Sequence, residues 1–384
     1  MDFELTPAQR KRRDEILVAV RERLAGRSRA TPDAHFGRDE WRTAAAIGLT
    51  GLCLPAEHGG GGLGALDTAL CLEAFGRACV DTGLVFGVAA HLLACATPVR
   101  DFAQPAVRAD LISGMVSGDL IAANAITEDD AGSDIGALAV TAVRDGDYYV
   151  LEGEKSFASN APVADLFVTY ATTDPSAGFL GTSGFVVPRE LEGISVGPPL
   201  EKMGLYGCPA GRVRFTRCRV PASYRLGGEG QGGAVFQHSM AWERACLFAI
   251  YVGLMEHQLE RCVDHARRRR QFGRRIGDFQ AVSHRIAGMM QRLEGARWLL
   301  YRACWLLDQS GAESSGLAMA VSLSKVAVSE SAVANSLDAI QIFGGIGYLS
   351  PTGIEQQLRD SIPSTIFSGT TEIHREILAR EVGL

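Results

Sequence analysis

The segregation of residue patterns along this chain limits its fold more than any other feature. Helical spacing fills the first 120 or so residues, strand spacing the next 110, and helical spacing returns after residue 230. Segregation of this kind predicts separate layers or domains, not alternating βαβ units, and no G-x-G-x-x-G is expected to follow a strand, so a Rossmann nucleotide site is disfavoured. Pro7 to about Gly26 carries Arg, Glu, Ala and Leu at helical steps, and Thr31-Pro32-Asp33 reads as a helix start. Glu57 to Gly64 is a glycine-rich break, after which an apolar helical pattern runs from Asp67 to about Leu93. Thr141 to Leu151 is two short strands around Asp145-Gly146, a strong hairpin signal. Phe167–Tyr170, Gly184–Val187 and Val213–Phe215 are further strand candidates, punctuated by prolines. Met289, Leu293, Ala296, Leu300, Ala303 and Leu307 recur at alternating steps of 4 and 3, the apolar stripe of a helix packed in a bundle.

At 384 residues the chain is too long for one core, and two or three domains are expected. A formal charge of −6 gives no electrostatic reason to bind nucleic acid. Met1-Asp2-Phe3-Glu4 starts acidic, and no run of about 18 apolar residues exists, so neither a secretory leader nor a membrane span is expected. Nine scattered cysteines with no C-x-x-C pair predict reduced thiols and a cytoplasmic location. The eight histidines make no ligand-spaced pair, so no metal is expected.

Four segments are dense in chemistry. Ile126 to Asp134 (ITEDDAGSD) is either a self-capped loop or one whose amides and hydroxyls bond a polar ring or a phosphate. Lys155 to Asn160 follows the hairpin. Arg267 to Arg275 holds six arginines in nine residues, which is either a solvated face or a clamp for pyrophosphate or an acidic partner. Gln341 to Gly347 offers glycines and an amide where backbone could approach a cofactor.

In this order the segments resemble the acyl-CoA dehydrogenase family of flavoproteins. The resemblance runs over essentially the whole chain and includes Arg359-Asp360 followed by Ile366 to Ile373. It implies a mainly α fold with a β-barrel middle domain: an N-terminal helical domain at 1–120, the barrel at 121–230 and a C-terminal four-helix bundle at 231–384. It also implies bound FAD and a homotetramer. By position, Ile126, Thr127 and Ser133 would line the flavin ring and substrate thioester, and Phe157 and Ser159 would contact the flavin and its ribityl side. Arg269, Phe272, Gln280, Gln341, Gly344 and Gly345 would meet a neighbouring subunit's FAD. Thr370 and Glu372 would sit by the diphosphate and adenosine portion of FAD.

The family removes an α-proton with a carboxylate while a hydride leaves the β-carbon. In most members that carboxylate directly precedes the Gly-Thr near the C-terminus; here the position is Ser368, and a serine hydroxyl is too weak a base. A minority branch, including isovaleryl-CoA dehydrogenases, places a Glu before an Arg on a bundle helix, as in Glu243-Arg244. Glu243 is therefore the expected base, with Arg244 and Ser368 on the substrate side. Trp242 to Phe248, Phe343 to Gly345, Cys208 to Gly211 and Thr365 to Thr370 look more narrowly like the L-prolyl-carrier-protein dehydrogenases. That likeness implies L-proline held as a thioester on a peptidyl carrier protein and oxidised to a pyrrole in secondary metabolism. Exposed arginines, such as Arg212, Arg214, Arg217 or Arg219, are candidates for docking the acidic carrier. A short branched-chain acyl-CoA dehydrogenase and a non-catalytic carrier-binding flavoprotein remain the alternatives.

Overall fold

The computed structural model describes residues 4–24, 36–310 and 316–384; the helix start expected at Thr31 lies outside them. Helix α1 (Pro7–Arg23) opens on a capping box in which Thr6 and Gln9 bond each other's backbone amides. It is followed by α2 (Arg38–Ile47), α3 (Ala65–Ala78) and α4 (Thr82–Ala90). A π turn at His91–Ala96 carries α4 on into α5 (Thr97–Phe102), and α6 (Pro105–Ser117) closes the first helical layer. The π turn has a local cause. Pro98 has no N–H to give to Ala94, and the freed Ala94 carbonyl accepts from Ser239 Oγ at 3.1 Å instead.

The middle of the chain is one sheet of eight strands: β1 (Ala122–Ala125), β2 (Thr141–Asp145), β3 (Tyr148–Ser159), β4 (Leu166–Thr172), β5 (Thr182–Pro188), β6 (Ile194–Val196), β7 (Ala210–Pro221) and β8 (Arg225–Leu226). Its order is β6-β7-β3-β2-β4-β5-β8, with β1 parallel to β4. The expected hairpin is β2–β3, closed with Asp145 opposite Tyr148. Alternation along β4 divides two cores. Leu166, Val168 and Tyr170 face the helices, whereas Phe167 and Ala171 face the sheet's own interior with Phe185 and Phe215.

The second helical layer comprises α7 (Gly232–Cys246), α8 (Ala249–Arg268), α9 (Gln280–Ser310), α10 (Leu317–Phe343), α11 (Ile354–Ser361) and α12 (Thr371–Glu381). A two-stranded ribbon, β9 (Arg270–Gln271) with β10 (Arg274–Arg275), joins α8 to α9. All six residues of the stripe expected on α9 are buried. All nine cysteines are free and buried. Two helical stretches, Thr82–Phe102 and Leu317–Tyr348, are long and apolar enough to cross a membrane; the first is 94% buried inside the protein and the second 50%.

One sequence expectation needs correction. Gly228, Gly230 and Gly233 do have G-x-G-x-x-G spacing between a strand and a helix. The unit is nonetheless not a Rossmann crossover, because β8 pairs antiparallel with β5 and α7 leads into the helical layer. A further glycine within the run, Gly232, serves packing. A Cβ on Gly232 would meet the Thr182 carbonyl oxygen at 2.6 Å, so only glycine lets the start of α7 rest on β5.

Candidate active site

Helix α7 buries Val235, Phe236, Met240 and Cys246 against the first helical layer and the sheet. Glu243 lies seven residues, two turns, beyond Phe236 and is therefore carried into the same seam; only 7% of it is exposed. One carboxylate oxygen, Oε1, accepts a short hydrogen bond from Ser368 Oγ. The other, Oε2, is buried without a partner. Burial raises the Glu243 pKa, while the Ser368 hydrogen bond and the Arg244 charge oppose the rise.

Ser368 comes from the connection between α11 and α12, 125 residues away in sequence. Its neighbour Phe367 stacks among Phe86, Phe248 and Tyr251, with ring centroids at 4.7, 5.6 and 6.2 Å. Ser368 sits at φ +57°, a region that non-glycine residues enter at a cost. Its carbonyl accepts from Arg244 Nε at 2.9 Å and from His374 Nε2 at 3.1 Å. A carbonyl can only accept, so Nε2 carries the imidazole proton and Nδ1 takes the Ser322 hydroxyl at 3.0 Å. Burial and the nearby Arg244 hold His374 down to about 4. Gly369 follows at φ +94°, where a Cβ would press on His374 Nε2 and Arg244 Nη2.

The loop expected to receive a flavin is pinned to β3. Lys155, fully buried, gives hydrogen bonds to Glu128 Oε1 at 2.6 Å and to the Ile126 carbonyl at 3.0 Å. Glu128 in turn accepts the Ala139 and Val140 amides, and the Ser156 amide donates to the Thr127 carbonyl at 2.7 Å. Ile126, Thr127 and Ser159 are half-buried, while Ser133 is exposed. Phe157, between Ser156 and Ser159 on β3, is 58% exposed at φ +57°. An aromatic ring left uncovered on a strained strand beside this loop is the feature a planar ring system fits.

A second group lies where α8 ends. Arg269 follows its last residue, Phe272 tips the ribbon with 94% of its surface exposed, and Gln280 begins α9. The His265 ring stacks on Phe343 at 4.3 Å, which brings Gln341, Gly344 and Gly345 at the end of α10 to the same place. Thr370 spends its hydroxyl capping α12 by accepting from the Ile373 amide, and Glu372 is exposed in that helix's first turn. The arginines expected to dock a carrier are largely compensated. Arg212 pairs with Asp129 and Glu154, Arg214 with Glu154, and Arg219 with Asp145, so three of the four expected arginines are already matched by carboxylates, while Arg217 bonds Glu152 through its main-chain amide.

Two residues of the site were missed. Tyr170 of β4 is fully buried against Phe236 with its hydroxyl unpartnered, within reach of Glu243 and the Cys95 thiol. A lone Tyr in a strand carries no sequence signal of this kind. His374 did carry one: it stands four residues after Thr370, one turn into a helix whose cap is readable.

Family models for the acyl-CoA dehydrogenase N-terminal, middle and C-terminal domains match residues 6–119, 123–218 and 230–383. An L-prolyl-[peptidyl-carrier protein] dehydrogenase of Pseudomonas fluorescens is 52% identical over 385 residues, covering 100% of both chains. The solved structure of PigA with FAD and proline superposes with a TM-score of 0.95 at 41% identity, covering 100% of both chains. That of the prolyl acyl carrier protein oxidase AnaB gives 0.92 at 36% identity, covering 99% of this chain and 100% of its own. With all three domain models matched in order and relatives alike from end to end, the chain belongs to the acyl-CoA dehydrogenase family.

Proposed function

We propose that this chain is an FAD-dependent dehydrogenase that oxidises an L-prolyl thioester on a peptidyl carrier protein to the pyrrole-2-carboxyl thioester. The observation that carries the reading is Glu243, a buried carboxylate with one oxygen held by Ser368 and the other free. The α-proton of a thioester needs a base whose pKa is raised toward working pH, and burial supplies this to Glu243. The arrangement supports removal of that proton by Oε2. The aromatic wall of Phe86, Phe248 and Phe367 beside Ser368 suits a small ring better than a long acyl chain. The relatives named for prolyl carrier proteins favour the same substrate.

Ile126, Thr127, Ser133, Phe157 and Ser159 would hold the flavin ring, and Thr370 and Glu372 the diphosphate and adenosine. Bound FAD would supply the two-electron acceptor for the hydride that leaves the β-carbon in the first round and, once the dehydroproline has tautomerised, for a second hydride whose loss leaves the pyrrole. Arg269, Phe272, Gln280, Gln341, Gly344 and Gly345 would reach the FAD of a neighbouring subunit in a homotetramer. The enzyme would work in the cytoplasm.

Glu243→Gln keeps the size and removes the base. The variant should retain flavin absorbance and lose turnover roughly 10²–10⁴-fold. Product from the parent enzyme should be lighter than prolyl carrier protein by four hydrogens, read by mass spectrometry. Near-normal turnover by the variant rules out the base, and turnover of isovaleryl-CoA alone, with loss of two hydrogens, rules out the substrate.

A further inference from the structure

The serine at position 368 stands where most of the family carries its carboxylate, yet it is not filler. Its main chain is held in the left-handed region by two donors that converge on one carbonyl, Arg244 Nε and His374 Nε2. The His374 ring is itself fixed by Ser322 of α10. Gly369 is needed for both donors to approach. Nothing in local sequence preference favours a serine at φ +57°, so the conformation is imposed by these tertiary contacts. Its outcome is that the hydroxyl points at Glu243 and occupies Oε1.

We propose that Ser368 is a positioning residue, clamped by Arg244 and His374 so that its hydroxyl holds one oxygen of Glu243 and presents the other, Oε2, to the substrate. This rests on the reading of Glu243 as the base. A donor on Oε1 does two things. It fixes the rotation of the carboxylate, which an isolated glutamate in a pocket would not have. It also favours the ionised form against the desolvation that opposes it, keeping the base in its working state at lower pH.

The groups that face Glu243 allow this effect to be read separately. Cys95 from the π turn and Tyr170 from β4 are driven far up by burial and stay neutral. His374 from α12 is held down to about 4 and is neutral above that, and Arg244 stays charged. Lys325 of α10, whose ammonium donates to the Thr365 carbonyl, titrates near 8. None of these facing groups titrates between about 4 and about 8, so an acid limb there that moves when Ser368 is changed reports Glu243.

Ser368→Gly removes the hydroxyl and keeps the backbone, because glycine accepts φ +57° without strain. Ser368→Asn tolerates the same φ and restores a donor. With prolyl carrier protein as substrate, the acid limb of kcat/KM should move up by about one pH unit in the glycine variant, as loss of a charge-assisted bond requires. It should return toward the parent position in the asparagine variant. Both should hold flavin, which absorbance reports. An acid limb unmoved in Ser368→Gly overturns the proposal even if Glu243→Gln is inactive. Activity surviving in Glu243→Gln instead overturns the underlying assignment of the base. Limbs moved equally in both serine variants would also overturn it, because restoring a donor would then have changed nothing.

Discussion

At the scale of single residues, α7 and β4 each bring one buried polar atom with nothing to bond to the seam between them. These are Glu243 Oε2 and the Tyr170 hydroxyl. A buried hydroxyl without a partner carries its full desolvation cost. Tyr170→Phe should therefore leave unfolding stability in urea unchanged or raise it by about 1 kcal/mol. A loss of more than that would show that the hydroxyl has a partner in the folded protein. Glu243 itself was legible as a Glu-Arg pair on an apolar helix, given a serine at 368. That these two side chains touch was not legible, because no local preference spans the 125 residues between them.

At the scale of elements, joints do the positioning. The chain between β6 and β7 turns through Leu205 at φ +52°, and its amide donates to Asp360 Oδ1 of α11 at 2.6 Å. Tyr251 of α8 donates to the Asp360 main-chain carbonyl at 3.0 Å, so three parts of the molecule meet at one residue. Burial, reinforced by the Asp81 charge, pushes Asp360 from 3.8 up to about 6. Below the lower value both folded and unfolded chains hold this proton. Between the two values only the folded chain holds it, so stability falls as pH rises through the window and is level above it. Asp360→Asn keeps the Oδ1 acceptor and has no such proton. The stability difference between parent and variant should change by up to about 3 kcal/mol across that window and by little above it. A constant difference across the range would show that Asp360 is ionised throughout. The sequence announced the helix and the strands on either side of this joint, but the joint depends on burial that only the assembled layers create.

At the scale of the whole molecule, the exposed surface of the bundle is unusually apolar. Met290, Trp298 and Trp305 of α9 are 56%, 42% and 51% exposed, and Leu337 of α10 is 49% exposed. Large apolar side chains grouped on packed helices mark an association surface. On the proposed homotetramer, Trp305→Lys should lower the particle mass seen by light scattering while leaving the circular dichroism of the helices intact. An unchanged mass would remove this face from the assembly.

The sequence by itself determined the order of layers, the hairpin at Asp145-Gly146, the stripe on α9 and the carboxylate to suspect. Each of these is written in local spacing, which the 3.6- and 2-residue periods convert directly into faces. Tertiary structure alone decided that Gly232 serves close packing of α7 on β5, and that Arg212, Arg214 and Arg219 are already paired. It also placed the Ser368 hydroxyl on Glu243. These outcomes depend on burial and on partners distant in sequence. A side chain's charge, freedom and hydrogen bonds are set by what surrounds it in space, and that is fixed only when the layers close.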